Sequence, residues 1–177
     1  MILGLQQNMK GSSDSRSEEG ALLLETAVMA PVLMILLLSI VSGFSFFVKF
    51  YADMRSDQST RQELRSIAER MVQDTESAST WQVTSGGHEL ILTTTRGGLL
   101  RYKCNESSGI MKRVRSAADP GQPMNGADVR DTLLVTEFRA SGSGRLVNIH
   151  LTGMNKRTGR SIDVDTAVET GGEPHGE

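Results

Sequence analysis

Six residues where a polar stretch meets an apolar one, Gly20-Ala21-Leu22-Leu23-Leu24-Glu25, carry the most specific chemistry in this sequence. Glycine ahead of a scissile bond lets the backbone lie extended in a protease cleft with no side chain in the way. Cleavage after Gly20 would leave a cationic α-amine on Ala21, with the carboxylate of Glu25 at the fifth position counted from it. An ionised carboxylate at the edge of a hydrocarbon layer is costly and calls for a partner. The amine of Ala21 on a neighbouring helix suits that role and would set the register between the two. A second set is basic: Arg96, Arg101, Lys103, Lys112, Arg113 and Arg115 against Glu106 give a local charge of +5. Phosphate contacts need little more than such a patch. From Trp81 onward, however, 12 basic residues face 11 acidic ones, and the chain has a pI near 6.0, so a solvated basic face is the plainer reading and direct DNA binding the sharper one.

Other chemistries lack their residues. The single Cys104 excludes an internal disulfide and a cysteine zinc cluster, and is expected as a small buried hydrophobe. His88, His150 and His175 lie far apart with no metal-ligand spacing, and neither GxSxG nor SxxK occurs. Gly97-Gly98 has no Lys-Ser/Thr after it and reads as a turn. We therefore expect no enzyme, no metal and no cofactor.

These residues need elements to position them. The 177 residues are 38% apolar and 23% charged with a formal charge of −2, which fits one ordinary domain, but the apolar residues are unevenly spread. Residues 1–20 are polar after the first five, without helical or strand period, and read as a leader. From Thr26 to Val48 there are 23 residues without a charge, enough to cross a bilayer core, so 21–48 reads as the transmembrane part of an N-terminal helix. Its retention is expected, because a signal peptide has a shorter apolar stretch and a small-residue cleavage site. Residues 49–80 keep a helical stripe through Leu64, Ile67, Met71 and Val72 and read as the soluble part of the same helix, about Ala21 to Ser77. Pro31 would kink it at most.

Residues 81–169 change to short runs between glycine- or serine-rich breaks: 88–94, 99–104, 109–114, 132–139, 145–151 and 161–168. Alternation in Val147, Ile149, Leu151 and in Ile162, Val164, Thr166 predicts one antiparallel sheet with one apolar face, covered by the helical stripe. Residues 116–130, with Pro120 and Pro123, read as an irregular loop, Trp81 as a packing residue at the helix-to-sheet boundary, and 170–177 as a disordered tail. The expected fold class is α+β, a long N-terminal transmembrane helix packed on a small antiparallel sheet.

With GALLLE at the boundary, the sequence resembles the type IV pilin and pseudopilin family, whose leader ends in glycine and whose mature chain carries glutamate at its fifth position. ETAVMAP, with Pro31, looks like the TadE-like variant. The order of GHELILTTTRGGLLRYKCNESSGIMKRV, a proline-containing loop, LLVTEFRASGSGRLVNIHL and SIDVDTAV is similar to the ComGF family of competence pseudopilins. The resemblance spans about Gly20 to Val168. It implies processing by a prepilin peptidase between Gly20 and Ala21, methylation of Ala21, and assembly with other pseudopilins through the N-terminal helix and Glu25. It also implies inner-membrane lipid around that helix, a sheet domain outside the cytoplasm or in an extracellular pseudopilus, and a role in DNA uptake. Alternatives are a type II secretion or Tad-type pilus subunit, or an unprocessed membrane-anchored polyanion-binding domain. The basic residues point the other way in orientation: Lys10 and Arg16 precede the span, whereas Lys49, Arg55, Arg61 and Arg65 follow it.

Overall fold

The computed structural model describes residues 11–105, 107–116, 118–126 and 132–171. Glu106, the last six residues of the expected tail, the first ten of the expected leader, His175 and most of the far end of the proline loop lie outside them. One helix, α1 (Gly11–Glu76), precedes eight strands: β1 (Ala78–Thr84), β2 (Glu89–Thr94), β3 (Leu99–Asn105), β4 (Ile110–Val114), β5 (Gln122–Pro123), β6 (Leu133–Ser143), β7 (Leu146–Asn155) and β8 (Ser161–Glu169). The class is α+β, as the apolar patterning predicts. The chain divides into two compact units at the Phe50–Tyr51 bond.

In the first unit, α1 presents its apolar side chains on every side: Leu23, Ile35, Leu37, Ile40, Phe46 and Phe47 are all more than 60% exposed. Such a surface needs lipid or other helices around it rather than water. Hydroxyls there bond to their own helix, Thr26 to Leu23 O at 3.0 Å, Ser39 to Ile35 O at 2.8 Å and Ser45 to Val41 O at 2.8 Å. That leaves these polar atoms satisfied in an apolar medium. The segment is long and apolar enough to cross a membrane.

In the second unit, residues 51–76 of α1 pack on two sheets. Leu64, Ile67, Ala68 and Met71 are buried against Leu90, Leu92, Leu100, Tyr102 and Met111 from one and Leu133, Val135, Phe138, Val147, Ile149 and Leu151 from the other. Val72, expected in this stripe, is half-buried. Gly153 makes room for the closest approach: a Cβ there would sit 2.6 Å from Leu133 and 3.2 Å from Leu64. Strand order is β1-β2-β3-β4-β5 in the first sheet and β6-β7-β8 in the second, with antiparallel pairing throughout.

Four expectations are corrected. Helix begins at Gly11 rather than Ala21, because apolar period reports burial and not helicity, and extending an existing helix costs little per residue. It ends at Glu76, within a residue of the expected end near Ser77, but residues 78–80, expected in its soluble part, open β1, since Thr80, Trp81, Val83 and Thr84 favour a strand and pair with β2. The single sheet is two. Their junction is knitted by buried Asn125, whose Nδ2 donates to Gly109 O (2.8 Å) and Leu133 O (3.2 Å) while its Oδ1 accepts from Met111 N (2.7 Å). Finally, of the expected break between 139 and 145, Ser141 to Gly144, only Gly144 stays in a turn: Ser141–Ser143 extend β6 to a two-residue turn at Gly144-Arg145, and Trp81 Nε1 donates to Gly144 O at 3.0 Å.

Candidate functional site

Gly20, Ala21 and Glu25 lie on α1 and are exposed. Ala21 and Glu25 are four apart and share a side of the helix. A Cβ at Gly20 would meet nothing within 4 Å, so its lack of a side chain serves no packing need. The Gly20–Ala21 bond is helical, whereas a protease takes an extended segment. Cleavage therefore requires local unwinding, which glycine eases by about 1 kcal/mol relative to alanine.

The structure separates the basic set by strand face. Arg101 and Lys103 of β3 lie on the outer face with Lys112 of β4, and Lys103 is opposite Lys112 across the ladder. Arg101 Nε reaches Glu89 at 3.1 Å. Arg96, in the β2–β3 turn, and Arg115, past β4, are exposed. Arg113, opposite Tyr102, points inward to the helix. Its Nε and Nη2 each donate to Asp74 at 2.8 Å, and the Tyr102 hydroxyl donates to the same carboxylate. Burial, then the Asp74 carboxylate, push the Tyr102 phenol up. Burial works against the Arg113 cation, but the Tyr102 oxygen and Asp74 outweigh it, and its basicity rises. Arg113 thus turns to the interior, apart from the other basic residues with which the sequence groups it.

A second polar cluster joins the helix to the β7–β8 turn. Asp57, 8% exposed, accepts from Thr158 Oγ1 (2.5 Å), Asn155 Nδ2 (2.9 Å) and Arg160 Nη1 (2.8 Å). The Thr158 hydroxyl, with Arg160 and Asn155, outweighs burial and holds the carboxyl below the usual range. Arg157 Nε donates to Asp53 at 3.0 Å, Asn155 Oδ1 accepts from Arg157 N at 2.8 Å, and Thr60 and Thr132 share a 2.8 Å hydroxyl bond. Sequence reasoning missed this cluster, although Asp57 and Thr60 continue the buried stripe of Leu64, Ile67 and Met71 at helical spacing. A stripe with polar ends looks solvated until its partners are known.

Cys104 is half-buried on β3, its Sγ 3.5 Å from Val135 O. His88 Nδ1 lies 3.2 Å from Phe138 O, and His150 Nδ1 lies 2.5 Å from Asp165 Oδ1 on the outer face of the second sheet. Among the described residues no three His, Cys, Asp or Glu side chains converge as a metal site. An open groove of about 520 Å³ runs between Arg61 and Arg65 of the helix and Ile162 and Val164 of β8. Comparison with protein families, curated proteins and solved structures finds no match for this chain.

Proposed function

We propose that this chain is a minor pseudopilin, a structural subunit of a type IV pilus-like machine serving DNA uptake. The observation that carries the reading is the junction from Gly20 to Glu25, which leads α1 into a run that is exposed on every side and uncharged from Thr26 to Val48. In this reading a prepilin peptidase cuts after Gly20, and the new amine of Ala21 pairs with Glu25 of an adjacent subunit. Residues Leu22 to Val48 pack helix on helix, and the sheets, outside the cytoplasm, select neighbours. Nothing in the mechanism is catalytic. Intact-mass measurement of the protein from membranes of its native host tests it. The expected species starts at Ala21, carries one extra methyl, and is absent when Gly20 is replaced.

A second reading rests on Lys103 and Lys112, side by side on the outer face of β3 and β4: a membrane-anchored domain that holds a polyanion. A species that retains residues 1–20 and binds DNA in a salt-sensitive way would favour it over the first.

A further inference from the structure

We propose that the β7–β8 turn, with Arg55, forms a cationic collar that rests on an anionic phospholipid surface. The inference depends on the apolar half of α1 lying in a membrane, and goes beyond it by assigning a lipid-contacting surface to the folded unit. Two independent features set the level of that surface. Phe44, Phe46, Phe47, Phe50 and Tyr51 place five of the chain's eight aromatic residues at the end of the apolar run, where aromatic side chains collect at a membrane boundary. The folded unit begins at Tyr51, and it clamps its β7–β8 turn to the first turns of its own stretch of α1: Arg157 to Asp53 and Arg160 to Asp57. From Tyr51 to Asp57 the helix rises about 9 Å, comparable to the Debye length of about 8 Å at physiological ionic strength.

The clamp leaves its cations facing out. Arg157 is 50% and Arg160 70% exposed at the side chain, and Lys156 is exposed beside them. Arg55, also exposed, stands two residues from Asp53, about 200° around the helix, so charge is present on both sides of it. Among the described residues the collar has four cations and two carboxylates, Asp53 and Asp57, both already engaged. No carboxylate of the described residues lies within ion-pair distance of Arg55 or Lys156, so neither is needed to hold the turn. Anionic headgroups at this level supply the missing counter-charge, and the occupant is fixed by the chain itself, since the collar is covalently continuous with the apolar run.

The full chain, carrying Cys104→Ser and a fluorophore on Ser161→Cys at the edge of the turn, is reconstituted in nanodiscs of phosphatidylcholine with and without phosphatidylglycerol. Quenching by headgroup-labelled lipid reports the approach of the turn. We expect quenching to rise with phosphatidylglycerol and to fall as salt is added. It should drop in the Arg55→Gln, Lys156→Gln double variant, each lost cation shifting the balance about fivefold. That variant keeps the Asp53 and Asp57 bonds, and a thermal transition matching the parent confirms that it is folded. Quenching indifferent to phosphatidylglycerol, or unchanged in the folded double variant, overturns the collar while leaving the membrane reading intact. A chain that never inserts and is extracted by alkaline carbonate overturns both.

Discussion

Asp57 ties the helix to the β7–β8 turn, because its two oxygens, themselves buried, take up three donors from that turn, the Asn155 amide, the Thr158 hydroxyl and the Arg160 guanidinium. Replacing it by asparagine removes the charge and turns one acceptor into a donor facing donors. The expected loss is about 1–3 kcal/mol in urea unfolding. The sign with pH follows from the lowered carboxyl. Stabilisation is present above the ordinary value of 3.8 and disappears as pH falls through the folded value, so parent and Asp57→Asn should converge in acid. Tyr102 works at the other extreme. Its phenol is held up, so its contribution is present below the ordinary value of 10.0 and lost as pH rises toward the folded value. Tyr102→Phe should cost about 1 kcal/mol at neutral pH and flatten the alkaline limb of stability. Neither role is legible from residue type, since an aspartate on a polar helix is most often solvated and only the partner strands make it interior.

Among the elements, glycines with and without neighbours make opposite predictions. A Cβ on Gly142 would lie 2.1 Å from Leu146 O and 2.9 Å from the Trp81 ring, so Gly142→Ala must push the β6–β7 hairpin off Trp81. The expected cost is about 1–3 kcal/mol, with a red shift in emission of the only tryptophan in the chain. Gly20→Ala, in open space, should leave folding intact and, if anything, strengthen the helix. Loss of processing in that variant would then report the protease and not misfolding. The strands themselves were largely legible: alternation placed Val147, Ile149 and Leu151 on the buried face, and all three are buried. Which strands share a sheet was not, because alternation names a face and not a neighbour. β1 was hidden by a helical stripe that runs without proline or glycine to the same point.

For the whole molecule, the division at Phe50–Tyr51 separates an apolar helix from a unit with its own core. A chain beginning at Tyr51 should therefore remain soluble and unfold in one cooperative thermal transition, whereas residues 1–50 alone should partition into detergent. Under the pseudopilin reading, Glu25→Ala should still insert but fail to enter the assembly, measured by sedimentation of sheared filaments against total membrane protein. Normal incorporation would remove Glu25 from the mechanism. The sequence by itself determined the uncharged run, the junction at Gly20 and Glu25, the α+β class and the strand faces, since these are written in local composition and in periods of a few residues. Only the tertiary structure decided that Arg113 is interior, that Asp57 binds the β7–β8 turn, that Asn125 joins two sheets and that cations from positions 55 and 156–160 gather at one level. Each of those depends on residues distant in the chain meeting in space, where burial and partner geometry, and not residue type, fix what a polar side chain does.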